Sequence, residues 1–311
     1  MRAYIVFDDF PREAVAMLCE AGVEVTVHTY NRERPNGDQL KKILQDYHII
    51  IIGTGQKISE DMCSEIDEAR IIATASVGTD HISIPENKKT LIKIVNAPLA
   101  NRISVAEHTF ALALELCKRL EEGKAIAAKG RHKQDMESKP RDLYGKTIGV
   151  IGAGGTASAV LKMADGFGMQ RMCWTKSPGA HEDLWKDGVR YVELTDIFTH
   201  ADVISVNIPL TKDTEQLISS DRISLLKEDA IFISMSRAEV VDCGALLKRA
   251  AEMDSFSVGM DVDADSVYGM WEESMRNVII TPHIGGGTVE ARKRLFVEIS
   301  RNILAVIEEL K

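Results

Sequence analysis

A chain of 311 residues, 45% hydrophobic and 27% charged, has enough apolar material for two ordinary cores, which excludes a disordered or fibrous protein. Its formal net charge of −9, with no basic block, argues against a nucleic-acid or anionic-membrane surface, where lysine and arginine must dominate. The five cysteines (Cys19, Cys63, Cys117, Cys173 and Cys243) are far apart and include no CxxC pair, so zinc ribbons and disulfide frameworks fit poorly and reduced thiols in the cytoplasm are expected.

The chain opens with "AYIVF", a short strand ended by two aspartates rather than a signal peptide. "PREAVAMLCEAG" predicts a helix closed by Gly22. "VEVTVHTY" alternates like a strand, and "HIIIIGTG" and "RIIATASVGTD" are continuous apolar runs, as in strands buried on both faces. Residues 1–98 therefore predict a small parallel α/β domain. In "NRISVAEHTFALALELCKRLEEGKAIAAKG", Ser104 and Glu107 match a capping box, and Val105, Leu112, Leu116 and Leu120 follow at helical spacing, predicting one long helix. After the polar loop "RHKQDMESKPRD", a second strand-helix series starts at "GKTIGVIGAGG" and continues through "RMCWT", "DVISVNIP", "AIFISMS", "SVGMDV" and "NVIIT". From Thr288, the expected cap, a last helix carries an apolar stripe of Phe296, Ile299, Ile303 and Val306. No segment reaches the apolar length of a membrane span.

Two stretches carry chemistry. In "TIGVIGAGGTASAV" a buried strand runs through glycines into a helix, with Gly152, Gly154 and Ala157 fitting G-x-G-x-x-G/A. Gly152 suits the tight turn, Gly154 the close approach of a pyrophosphate, and Ala157 the packing of helix on strand. The free N–H groups at the helix start then hold the anion, so a dinucleotide is the expected ligand. An NAD site places a carboxylate on the ribose at the end of the next strand, but here Thr175, Lys176 and Ser177 stand there. These groups favour a 2′-phosphate, so NADP is preferred over NAD, and with it the reductive direction.

The second stretch is "ITPHIGGGT", where His283 follows a strand end and precedes three glycines, as a proton donor beside a cofactor would. The nearby "DVDADSVYGMWE" has acids at EF-hand spacing, but the required turn glycine is Ser266 and a β-type run precedes it, so no calcium loop is expected.

Several motifs in order resemble the D-isomer-specific 2-hydroxyacid dehydrogenase family: "SVGTDHI", "NAPLANRISVAEHTFALAL", "GKTIGVIGAGGTA", "VNIPLTKDT", "ISMSRAEVVD" and "NVIITPHIGGGT". The resemblance implies two doubly wound parallel-sheet domains, a Rossmann cofactor domain (99–285) inserted into a flavodoxin-like substrate domain (1–98 plus 286–311). It implies a homodimer formed through the cofactor domains. It also implies hydride transfer between NADP or NAD and a small 2-oxo or 2-hydroxy acid.

Residue by residue, the resemblance makes His283 the acid/base and Arg237 the carboxylate-binding guanidinium. It places Gly155 and Thr156 under the pyrophosphate. Asn207, Pro209, Met235, Ser236, Asp261, Gly285 and Gly286 become further cofactor contacts, and Val77, Gly78 and Asn101 substrate contacts. The family sets a glutamate behind the histidine; Ser266 holds that position here. Asp265 is the expected substitute, with no ionic partner or another acid, such as nearby Asp263, left open. A D-3-phosphoglycerate dehydrogenase and a non-catalytic cofactor sensor are the alternative readings.

Overall fold

The computed structural model describes residues 1–28, 34–68 and 70–309. The chain divides into two compact units, residues 1–101 with 289–311 and residues 102–288, so both crossings fall three residues beyond the expected 98 and 285.

The first unit is built on five parallel strands: β1 (Arg2–Ile5), β2 (Glu24–Val27), β3 (Ile49–Ile52), β4 (Arg70–Thr74) and β5 (Ile92–Val95). Their order is β2-β1-β3-β4-β5, the flavodoxin-like arrangement. β3 is four isoleucines, each almost fully buried, because helices cover both faces of a parallel sheet. The helix Arg12–Glu20 ends where Gly22 turns the chain at φ +80°. The last helix, Val289–Glu309, returns to this unit and buries Phe296, Ile299 and Ile303 among Phe7, Phe10 and the strand isoleucines. Each such side chain contributes about 1.5–3 kcal/mol on burial. The strand pattern of "VEVTVHTY" extends to Thr29 and Tyr30, which lie outside the described residues, as do the last two positions of the C-terminal helix pattern. The edge strand β5 carries exposed Lys93 and Ile94 at its centre, a pattern that hides a strand in the sequence.

The second unit contains β6 (Thr147–Ile151), β7 (Gln170–Trp174), β8 (Arg190–Tyr191), β9 (Val203–Val206), β10 (Ile231–Ser234), β11 (Ser257–Asp261) and β12 (Val278–Thr281). All pair in parallel, in the order β12-β11-β10-β9-β6-β7-β8. This is the Rossmann order extended by one strand, and the winding reverses beside β6.

Two local expectations fail. The single long helix is two, Arg102–Lys118 and Leu120–Ala128, broken at Arg119, which adopts φ +53°. The break lets the Arg119 guanidinium meet the buried carboxylate of Glu122, which also accepts the Glu137 N–H at 2.7 Å. The capping box also fails: the helix starts two residues before Ser104, whose buried hydroxyl lies 2.9 Å from that of Thr288.

Four of the five thiols are buried and only Cys19 is exposed. Burial pushes Cys173 up to about 12 and Cys63 and Cys243 up to about 11, and raises Cys117. Iodoacetamide at pH 8 is therefore expected to label one thiol per native chain and five after unfolding in guanidinium, counted by intact mass. Full labelling of the native protein would contradict these cores. Among the described residues no helix is long and apolar enough to cross a membrane.

Candidate active site

In a sheet of parallel strands every carboxyl end lies on one edge, and ligands bind there where the winding reverses. Gly152 follows β6, Thr175 follows β7, Asn207 follows β9, Arg237 lies just beyond β10, Asp261 ends β11 and His283 lies just beyond β12. The second unit therefore brings the predicted cofactor and catalytic residues to a single edge.

At the phosphate turn, Gly152 has φ +108°, and a Cβ there would stand 2.6 Å from the carbonyl oxygen of Asn207. Only glycine fits. Gly154 (φ −70°) caps the helix Gly155–Gly166, and a Cβ on it would meet nothing within 4 Å. That open space beside a helix N-terminus, whose first N–H groups lack helical partners, is what a pyrophosphate needs. Ala157 is fully buried in the first helical turn. Asn207 turns its Nδ2 to Ser205 Oγ at 2.8 Å, while its Oδ1 is buried with no donor in reach among the described residues. An orphan acceptor next to an open glycine turn fits a bound dinucleotide.

Beyond β7, Thr175 Oγ1 accepts a long bond of 3.4 Å from the Ser177 N–H, and Lys176 Nζ lies 3.3 Å from Asp213 Oδ2. Both partners of that ion pair are exposed, so it contributes little to stability. Beyond β10, the N–H of Met235 reaches Val206 O at 3.1 Å, and Ser236 Oγ accepts the Ile208 N–H at 3.1 Å. These bonds tie the β9 and β10 loops together. Pro209 accepts the Thr214 hydroxyl at 2.6 Å. Arg237 is partly exposed at the cap of a short turn, Ala238–Val240.

His283 is the centre of the other group. It holds φ +54°, a left-handed conformation that costs a non-glycine residue about 1–3 kcal/mol and collects at functional positions. Its N–H donates to Thr281 O at 2.9 Å. Asp261, only 4% exposed, secures the next two peptides: Oδ1 accepts the Ile284 N–H at 2.8 Å and Oδ2 accepts the Gly285 N–H at 2.7 Å. Gly285 has no room for a Cβ, which would stand 2.8 Å from Asp261 Oδ2; Gly286 continues the turn, partly exposed. The imidazole is 33% exposed.

The acid at that imidazole is Asp263, not Asp265. His283 Nδ1 lies 3.1 Å from Asp263 Oδ1. The reason is local. Residues Ala264–Val267 close a 3₁₀ turn immediately after Asp263, with Val267 as the buried member. Asp263 stays extended at the cap and its carboxylate meets the ring, whereas Asp265 sits in the turn, exposed to solvent.

In the first unit, Val77 and Gly78 lie in the loop after β4. Sequence reasoning missed what holds it: Thr74 Oγ1 contacts Ser76 Oγ at 2.9 Å and His81 Nε2 at 2.8 Å, and Ser76 Oγ donates to Gly78 O at 2.6 Å. Asn96 Nδ2 donates to Val77 O at 2.6 Å. Asn101 is the last residue of that unit before the crossing.

Residues 110–285 match the NAD-binding domain of the D-isomer-specific 2-hydroxyacid dehydrogenases. A glyoxylate reductase of Pyrococcus furiosus is 31% identical over 304 residues, covering 95% of this chain and 89% of that protein. A hydroxypyruvate reductase of Thermotoga maritima is 30% identical over 96% of both chains. The solved structure of an Aquifex aeolicus D-lactate dehydrogenase, complexed with NAD and lactic acid, superposes with a TM-score of 0.82 at 29% identity, covering 99% of this chain and 96% of that one. The chain belongs to the D-isomer-specific 2-hydroxyacid dehydrogenase family. It is an NAD(P)-dependent oxidoreductase that interconverts a small 2-oxo acid and its 2-hydroxy acid, which sets aside the non-catalytic sensor.

Proposed function

We propose that the enzyme reduces a small 2-oxo acid to its 2-hydroxy acid, of D configuration where the product is chiral, with NADPH preferred over NADH, and that glyoxylate and hydroxypyruvate are its first candidate substrates. The observation that carries this reading is the His283–Asp263 pair, held in a left-handed turn at the same sheet edge as the Gly152 phosphate turn.

A reduced nicotinamide, when bound, supplies the hydride for the carbonyl carbon. Negative charge then grows on the carbonyl oxygen, and His283 donates a proton to it from Nε2. Asp263 accepts from Nδ1–H and so keeps Nε2 turned to the reacting oxygen, the role a carboxylate plays behind a catalytic histidine. In the reverse direction the same nitrogen takes the hydroxyl proton. The Arg237 guanidinium holds the substrate carboxylate through paired N–H bonds. β10 and β12 are separated by β11, so the carboxyl ends of these two strands, just before Arg237 and His283, stand about 10 Å apart.

Gly152, Gly154, Gly155, Thr156 and Ala157 would hold the pyrophosphate. Asn207, Pro209, Met235, Ser236, Asp261, Gly285 and Gly286 would line the rest of the cofactor, the Val77 and Gly78 N–H groups would serve the substrate carboxylate, and Asn101 would be a further substrate contact. Assembly as a homodimer through the cofactor unit, and a cytoplasmic location suited to free thiols, belong to the same proposal. Light scattering tests the first.

The test of function is a panel of glyoxylate, hydroxypyruvate, pyruvate and 3-phosphohydroxypyruvate, each assayed with NADH and NADPH. Turnover of the first two overturns the alternative if 3-phosphohydroxypyruvate is poorly used; dominance of the phosphorylated acid establishes the phosphoglycerate dehydrogenase reading instead. For the cofactor, Lys176→Ala is expected to raise KM for NADPH about 10- to 150-fold, the equivalent of one charge-assisted hydrogen bond, with KM for NADH within about twofold. Asp213→Asn should lower KM for NADPH, because its carboxylate competes for Lys176 Nζ at 3.3 Å. An unchanged NADPH-to-NADH ratio in both variants removes the NADP preference.

A further inference from the structure

The helix Arg102–Lys118 turns a histidine toward the β11–β12 edge, and the reaction as described makes no use of it. His108 Nε2 lies 3.0 Å from Thr281 Oγ1, which lies 2.6 Å from Asp261 Oδ1. The direction of these bonds follows from counting protons. Thr281 has one hydroxyl proton, and a carboxylate oxygen can only accept, so that proton goes to Asp261. The Thr281 oxygen must then receive from His108 Nε2–H, which fixes the tautomer. Asp261 Oδ1 accepts from Thr281 and the Ile284 N–H, and Oδ2 from the Gly285 N–H. The two peptides among these donors, Ile284 and Gly285, directly follow His283.

We propose that His108 is a positioning residue for His283. Through Thr281 it fixes the carboxylate of Asp261, and through Asp261 it holds the strained turn that presents the catalytic imidazole. The packing is consistent with this: the His108 ring, Asp261 Oδ2 and the Met235 methyl all close on Gly285, each within 3.2 Å of where a Cβ would stand. Three hydrogen-bond acceptances on one buried side chain leave Asp261 little freedom to rotate, so the relay has one arrangement. The left-handed φ at His283 costs a non-glycine residue about 1–3 kcal/mol, so the surrounding bonds must hold it. Without the relay the turn relaxes and Nε2 leaves its position.

This inference rests on the catalytic reading of His283, and the experiment separates the two. With glyoxylate as the probe substrate, His108→Leu and Thr281→Val should each lower kcat about 10- to 100-fold, the scale of an ångström-sized misplacement. His108→Gln, which carries an N–H donor at similar reach, and Thr281→Ser should recover most of the loss. The double variant His108→Leu/Thr281→Val should be no slower than Thr281→Val alone, because the bonds act in series.

A second readout needs no turnover. In ¹H–¹⁵N spectra of the ligand-free protein, the His283 ring resonances should move in His108→Leu and stay in place in His108→Gln. Wild-type kcat in His108→Leu, or equal losses in His108→Leu and His108→Gln with an unmoved His283 signal, overturns the relay. If His283→Asn itself turns over like wild type, the catalytic reading has failed and the relay with it. If His283→Asn is dead and His108→Leu is normal, the relay alone has failed.

Discussion

His283→Asn is expected to lower kcat for 2-oxo acid reduction by about 10²- to 10⁴-fold while cofactor dissociation constants stay within about twofold, because a positioned proton donor contributes on that scale. Asparagine is the informative replacement. It accepts the left-handed backbone that position 283 requires, where a β-branched residue would distort the turn as well as remove the acid. Its amide can hydrogen-bond the substrate oxygen but cannot release a proton to it. The loss should therefore appear in kcat, read from steady-state rates, with binding followed by fluorescence titration of NADPH. Asp263→Asn should be milder. Asp263 is 70% exposed, and solvent screens its interaction with the ring. A loss in Asp263→Asn as deep as that in His283→Asn would mean the pair acts as one unit.

The second large effect belongs to the phosphate turn, where neighbouring glycines should behave in opposite ways. Gly152→Ala places a Cβ 2.6 Å from the Asn207 carbonyl oxygen and 3.0 Å from Ile208 Cγ2, at φ +108°. Backbone strain of about 1–3 kcal/mol and overpacking of about 1–3 kcal/mol give a destabilisation of about 2–6 kcal/mol. In a unit of this size that lowers Tm by roughly 5–20 °C. Gly154→Ala meets open space at φ −70°, so its Tm should match wild type. Its Cβ would fill the space a pyrophosphate needs, and affinity for either nicotinamide dinucleotide should drop at least about tenfold. A Tm loss at Gly154, or none at Gly152, would contradict the roles assigned to them.

The sequence made most of this fold legible because the dominant strands are continuous apolar runs ended by glycine. "HIIII" and "TIGVIGAGG" have few alternatives to a buried parallel strand. His283 and the Gly152 turn were legible as candidates for the same reason: each follows such a strand closely. What escaped depends on three-dimensional neighbours. β5 has a lysine at its centre because it lies at a sheet edge. The break at Arg119 serves the buried Glu122, and helical spacing continues across it unchanged. Ser104 matched a capping box by type and spacing, but its hydroxyl lies against Thr288, 184 positions later. The partner of His283 stays open in the sequence between Asp265, another acid and none; the structure gives Asp263, because a 3₁₀ turn decides which acid stays at the cap. His108 was hidden inside an otherwise ordinary amphipathic helix.

The most direct measurement is a crystal structure with NADP⁺ and oxamate, a stable analogue of a 2-oxo acid. The account predicts His283 Nε2 about 3 Å from the oxamate oxygen that stands for the ketone, Arg237 paired with the oxamate carboxylate, and Asp263 still on Nδ1. Oxamate bound with His283 and Arg237 facing away from it, or a dinucleotide bound anywhere other than the Gly152–Ala157 turn, would contradict it.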